Sequence, residues 1–303
     1  MAKHGRTSSR AKGEPSVADV RITHPEKLMF PELGLSKLDI AQYYAAVGRW
    51  MLPHLKGRPL TLVFCPTGVG EGCRYLRHTK VWGPKAIRRV RIQEKTKVGE
   101  YMVVDTLEGL VSLAQMNVLE IHTWNSTMDH LEQPDRIVLD LDPGQHVTWM
   151  QVIAAAREVR QMLAAIGLKT WIKTTGGRGL HVVVPLIPDA DWSECLEFAH
   201  AMANLMVEQN PARYTIDFRK VGREDKILID YLRNNRTNTS ICAFAVRARA
   251  GAPVSMPIEW TDLKPSLKPD RFTLSTVRTY LARRRVDPWR DYSRVKQRLK
   301  LPA

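Results

Sequence analysis

Two aspartates one residue apart end an apolar run, Ile137-Val138-Leu139-Asp140-Leu141-Asp142-Pro143-Gly144. Side chains on a strand alternate faces, so a strand here projects both carboxylates from one face. Neighbouring carboxylates repel unless a cation lies between them, and hard oxygen donors suit Mg²⁺ or Mn²⁺. A strand running into a turn-forming Asp-Pro-Gly accounts for Asp142 equally well. Asp230 ends a second apolar run, Lys226-Ile227-Leu228-Ile229-Asp230, and offers a third oxygen ligand. Arg233, Arg236 and Arg247 follow it, as a phosphate-binding site needs cations beside its metals.

The segment Thr174-Thr175-Gly176-Gly177-Arg178-Gly179-Leu180-His181 brings hydroxyl, guanidinium and imidazole donors together with glycines that let backbone approach phosphate oxygens. It is neither a Walker loop nor a dinucleotide fingerprint, because it lacks the closing Lys-Ser/Thr and joins two strand-like runs. A hairpin turn explains its glycines, but not His181 entering Val182-Val183-Val184. Glu120-Ile121-His122-Thr123-Trp124-Asn125-Ser126 adds a histidine for which a satisfied core position is the plain alternative. Lys27 follows Thr23-His24-Pro25-Glu26, and Lys37 opens a helix. A cation there is electrostatically unhelpful unless an anion binds; plain surface charge explains both lysines otherwise.

The elements that must hold these residues alternate along the chain. Residues 1–19 are polar and basic and are expected to form a flexible tail, with order beginning at Val20-Arg21-Ile22. Ser36 with Asp39 predicts a helix cap. Ile40, Tyr44, Val47 and Met51 then form a helical stripe ending near Pro53. Strands are expected at 59–64, 101–105, 136–142, 169–174, 180–186, 226–231 and 240–246. Helices are expected over 147–166, stopped by Gly167, and over 192–209, before Pro211. Arg74–Lys97 carries nine Lys/Arg against Glu94 alone, and is expected to be a surface excursion. Interspersed helices and strands with one hairpin indicate an α/β or α+β domain.

The 303 residues carry 46 Lys+Arg against 31 Asp+Glu, a net charge of +15, which favours a polyanionic partner such as nucleic acid. With 44% hydrophobic residues the chain can bury a core. No apolar run approaches a membrane span, and no apolar stretch follows the basic N-terminus as in a secretory signal. Cys65, Cys73, Cys195 and Cys242 lie apart without a C-x-x-C pair. That argues against a disulfide framework or cysteine zinc site and fits a reducing cytoplasm.

In order, the chain presents His24-Pro25-x-Lys27, Leu35-Ser36-Lys37, Leu52-Pro53-His54-Leu55-x-Gly57-Arg58-Pro59, Glu120-x-His122-x-Trp124-Asn125-Ser126, Asp135-Arg136-x-x-x-Asp140-Leu141-Asp142-Pro143-Gly144, Thr175-Gly176-Gly177-Arg178-Gly179-Leu180-His181, Asp230-Tyr231 and Val246-Arg247-Ala248-Arg249-x-Gly251-Ala252-Pro253-Val254-Ser255. From about residue 21 to 290 this series resembles the polymerase domain of bacterial ligase D. That family lies in the archaeo-eukaryotic primase superfamily and serves non-homologous end joining. The resemblance implies an α+β fold, an archaeo-eukaryotic primase-like catalytic core with mixed β-sheets flanked by helices, over residues 20–303. It implies a metal-dependent DNA primase-polymerase that extends DNA ends or fills gaps, with two Mn²⁺ or Mg²⁺ ions and a nucleoside triphosphate, ribonucleotides preferred.

By the same resemblance Asp140, Asp142 and Asp230 are the metal-binding catalytic triad. Thr175, Arg178, His181 and Arg247 meet the triphosphate, His122 lies near the sugar, and Arg233 lies beside the active site. Lys27 and Lys37 hold a downstream 5′-phosphate, and Arg223 arranges the site when ends pair. The family often has two aromatics for base stacking where this chain reads Cys73-Arg74-Tyr75-Leu76-Arg77-His78, leaving Tyr75, with Arg74 beside it, to meet the template. Expected partners are double-stranded DNA with ends or gaps, Ku and a separate DNA ligase, in the nucleoid. No K-x-D-G ligase motif is present, so a stand-alone member or an excised domain is expected. The basic stretches Arg74–Lys97 and Arg278–Lys300 are the expected sequence-independent DNA grip. The alternatives are an end-binding synapsis scaffold with vestigial catalysis, and a primase that starts strands from scratch.

Overall fold

Apolar and β-branched runs pair into two six-stranded sheets in a computed structural model that describes residues 14–70, 72–78 and 83–299. The first sheet has the order Tyr214–Thr215, Ile227–Asp230, Arg136–Pro143, Leu180–Pro185, Trp171–Thr174, Pro257–Ile258. Its pairs are antiparallel except the parallel pair of Tyr214–Thr215 with Ile227–Asp230. The second runs Ser240–Ile241, Val118–Thr123, Leu60–Phe64, Val98–Val103, Arg88–Gln93, with Arg74–Leu76 beside Leu60–Phe64.

Among the described residues, five α-helices accompany these sheets: α1 Lys37–Leu55, α2 Leu107–Gln115, α3 Trp149–Ala165, α4 Trp192–Gln209 and α5 Leu274–Arg284. Each is started by a side-chain cap, from Ser36, Thr106, Thr148, Asp191 and Thr273 respectively. Such a cap satisfies one amide that the first turn leaves unpaired, worth about 1 kcal/mol. α3 buries Val152, Ile153, Ala156, Val159 and Leu163, and α4 buries Phe198, Ala199, Met202 and Met206. Both stripes lie against the first sheet, whose Ile137, Leu139, Leu141, Val182 and Val184 are at most 1% exposed. That packing holds Arg136–Pro143 rigid where its carboxylates emerge.

Several elements depart from the sequence expectations. Ser16–Val17, inside the stretch expected as a tail, pairs with Val20–Arg21, where order was expected to begin, around a tight turn with Ala18 and Asp19 both at positive φ. Two such residues in succession are the turn that matches the twist of a hairpin. Residues 1–13 lie outside the described residues. α1 runs through Pro53 to Leu55, since helix packing outweighs the lost hydrogen bond. Arg88–Gln93, expected as an excursion, is an edge strand whose Ile92 is buried between exposed Arg91 and Gln93; a lone charged edge blocks further pairing. The 240–246 run is a strand only at Ser240–Ile241. Cys65 and Cys73 are joined by a disulfide, contrary to the expectation of none, because the hairpin that pairs Phe64 with Arg74 brings them together.

Candidate active site

Strand register assembles the acids. Asp140 lies opposite Asp230 across one pairing and opposite His181 across the other, and Lys173 lies opposite His181. Four polar residues thus form one row across four apolar strands, and Asp142 lies two residues along on the same face. Arg233 Nη2 is 2.8 Å from Asp230 Oδ2, and its Nε is 3.3 Å from Asp140 Oδ2. His181 Nε2 is 3.4 Å from that same Asp140 oxygen. Arg223 Nη2 donates to Asp142 Oδ2 at 2.8 Å.

Electrostatics divide the carboxylates. Burial opposes ionisation of Asp140, yet His181 and Arg233 hold it well below the usual carboxylate range. Burial, with repulsion from Asp140 and Asp142, lifts Asp230 to about 6 despite Arg233. His181 is pushed down to about 4 by burial and by the charge of Lys173, so its ring is neutral at neutral pH. Lys173 is itself pushed down to about 7 by burial; its Nζ donates to Ser255 Oγ at 2.7 Å.

The turn after Lys173 joins the Trp171–Thr174 and Leu180–Pro185 strands, as expected. At Gly179 a Cβ would stand 2.3 Å from the Leu141 carbonyl oxygen, so only glycine lets the turn lie against the carboxylate strand. At Gly176, φ is +67° and the Arg247 stem occupies the Cβ position. Arg247 is held on two sides: Nε lies 3.0 Å from Glu120 Oε1, and Nη1 donates to the Thr175 carbonyl at 2.8 Å. The other Glu120 oxygen meets His122 Nε2 at 2.8 Å. Burial lowers the pKa of His122, so the neutral ring donates from Nε2 and leaves Nδ1 as an acceptor.

A cavity of about 270 Å³ collects Tyr75, His122, Asp140, Asp142, Thr175 and Arg178, and is completed by His181, Arg233, Arg247 and Arg249. Tyr75 is 69% exposed at its mouth, its ring centroid 6.1 Å from that of His122. Arg74 leans over the Phe64 ring. Arg178 is drawn to the Gln145 and Val147 carbonyls, at 3.0 and 2.9 Å. Lys27 and Lys37 lie elsewhere as a pair. Lys27 donates to the Pro66 carbonyl, and buried Lys37 donates to the Thr23 carbonyl at 2.9 Å. Burial first, then Lys27, lowers the pKa of Lys37. The sequence reading assigned no role to Glu120, Lys173 or Arg249. The E-x-H spacing was the signal for Glu120, and the cross-strand row that reveals Lys173 exists only once register is known.

The donor set suits a hard divalent cation. Burial raises Asp230 first, and repulsion from Asp140 and Asp142 adds to it against the pull of Arg233; all three groups offer carboxylate oxygens. Among the described residues, no group of three or more His, Cys, Asp or Glu stands close enough to form a ready-made metal cluster. Arg223 and Arg233 occupy the carboxylates instead.

This architecture is an archaeo-eukaryotic primase-like fold. It aligns with the polymerase domain from Mycobacterium tuberculosis ligase D in complex with DNA at a TM-score of 0.82 and 30% identity, covering 87% of this chain and 94% of that one. Residues 36–289 match the family described as LigD, primase-polymerase domain, and the chain belongs to that family. The multifunctional non-homologous end joining protein LigD of Pseudomonas aeruginosa is 33% identical over 297 residues, 97% of this chain and 35% of the relative. Its namesake from Mycolicibacterium smegmatis is 32% identical over 256 residues, 84% of this chain and 34% of that protein. The chain spans about a third of the length of these curated relatives. Among the described residues, no helix is long and apolar enough to cross a membrane.

Proposed function

We propose that this chain adds nucleotides to a primer 3′ end at DNA breaks and gaps during end joining. The observation that carries the reading is the single cavity in which carboxylates and phosphate-binding cations face each other. Asp140, Asp142 and Asp230 would hold one divalent ion, and Asp140 with Asp142 a second, Mn²⁺ preferred over Mg²⁺. When bound, such ions lower the pKa of the primer hydroxyl and neutralise the leaving pyrophosphate. Arg247, fixed by Glu120, and Arg178 place positive charge along a triphosphate, with Thr175 and His181 lining the same cavity. Positioning and charge stabilisation are most of what phosphoryl transfer asks of a protein.

His122 Nδ1 is an acceptor for a sugar hydroxyl, which supports preference for ribonucleotides. Tyr75 offers an exposed face on which a template base stacks, with Arg74 alongside. Arg223 leaves Asp142 when paired ends assemble the site. Lys27 and Lys37 form a compact positive pair for the 5′-phosphate across a gap. Ku and a separate DNA ligase are the partners this setting implies.

The test is nucleotide addition to duplexes with a one-nucleotide gap, with and without a 5′-phosphate, set against an unprimed template. ATP and dATP, Mn²⁺ and Mg²⁺ are compared in each. Filling of the phosphorylated gap with ATP and Mn²⁺ ahead of all else is expected. Synthesis on the unprimed template at equal rate would show a strand-initiating primase instead.

A further inference from the structure

The proposed chemistry leaves unused a group of polar residues at the opposite end of strand Arg136–Pro143. His54 and Arg58 come from the Leu52–Pro59 motif, and Asp135 and Arg136 open the strand. Asp135 is five residues from Asp140, about 16 Å at the rise of a strand. Arg58 is 4% exposed and donates from Nη2 to Asp135, while its Nε and Nη1 have no partner. His54 Nδ1 and the Tyr292 hydroxyl, both buried, are also unpartnered. Each such group costs about 1–3 kcal/mol when left unpaired, and more when charged. Four in one place call for an occupant.

A cavity of about 420 Å³ is lined by these groups, with Arg290 and Lys296 exposed at its rim. That volume lies within the range of small-molecule pockets. Its acids are already engaged. Asp135 pairs with Arg58 and Arg136, and Asp287 Oδ1 accepts the Trp289 backbone N–H at 2.8 Å. Arg290 Nε lies 3.6 Å from Asp291 Oδ2, and Arg58, Arg136, Arg290 and Lys296 together outnumber Asp135, Asp287 and Asp291 around the cavity.

We propose that this cavity binds a phosphate or phosphomonoester at a site separate from the nucleotide cavity. Guanidinium N–H groups, a tyrosine hydroxyl and rim cations are the donors that a phosphate dianion needs.

The test is calorimetric titration of the full chain with inorganic phosphate and with adenosine 5′-monophosphate. An R178A/R247A/K27A variant silences phosphate binding beside the carboxylates and at the Lys27–Lys37 pair. That protein is expected to keep one binding equivalent, weakened at least fivefold by adding R290A/K296A and at least tenfold by adding R58M. No uptake, uptake lost in the R178A/R247A/K27A protein itself, or uptake there indifferent to R290A/K296A overturns the proposal. Because R58M removes a buried ion pair and can unfold the chain, the exchange of the two exposed rim residues carries the test by itself. Equal uptake of both ligands identifies the phosphate group as the determinant; uptake of the nucleotide alone identifies its ester.

Discussion

Replacing Glu120 with Gln separates the support of the nucleotide cavity from its chemistry. Glu120 is 4% exposed, and its two oxygens meet His122 Nε2, Arg247 Nε and the Ala248 N–H. Burial alone would raise its pKa, but the His122 hydrogen bond and the Arg247 charge overcome this and lower it to about 2 from an ordinary 4.5. By linkage that depression corresponds to about 3 kcal/mol, an upper bound for E120Q because glutamine keeps one acceptor. The sign follows from a depressed carboxylate: the stabilisation is full above about pH 4.5 and is lost as pH falls towards 2. E120Q is therefore expected to lose about 1–3 kcal/mol at pH 7.5 in urea unfolding, with the deficit shrinking at pH 4. Arg247 and His122, no longer pinned, should raise nucleotide KM roughly tenfold, since about 1.4 kcal/mol of lost binding is a factor of ten, with less effect on kcat. Parent-like stability together with a parent-like KM would refute the idea that Glu120 organises the cavity.

The other predictions concern single charges. Lys173→Met is expected to be more stable than the parent at pH 6.5, because a buried lysine held down at about 7 carries an uncompensated penalty below that pH. The advantage should narrow as pH rises from 7 towards 10.5 in thermal unfolding; a constant difference would contradict it. Asp230→Asn is expected to unfold a few degrees higher at pH 7.5, because Asp230 is raised to about 6 and so destabilises the fold above that pH. A lower Tm would show that the Arg233 pairing outweighs the repulsion. Lys27→Ala is expected to abolish the preference for 5′-phosphorylated over unphosphorylated gaps in binding assays, while a parent protein without that preference would defeat the pocket.

The carboxylate pair, the glycine turn and α4 were legible because each rests on local chemistry: period-two alternation, glycines without side chains, and capping by Asp191. What the sequence concealed depends on register and tertiary packing. Lys173 looks like a surface residue until pairing sets it opposite His181, two strands from Asp140. Ser240–Val246 has strand composition, yet Phe244 takes a positive φ and its amide bonds to Ser255, so the chain turns after Ile241. Arg88–Gln93 looked too charged to be structural, because an edge strand needs apolar residues on one face only. The basic surplus proved to be partly internal, with Arg58, Arg136 and Lys37 buried and partnered by carboxylates or carbonyls.

Extension of a 5′-labelled primer across a phosphorylated gap, with Mn²⁺ and ATP, by Asp140→Ala and Asp230→Ala proteins tests the central claim most directly. Both are expected to bind the gapped duplex like the parent and to add no nucleotide above background. Parent-like extension by either folded variant would contradict the assignment of the carboxylate row as the catalytic centre.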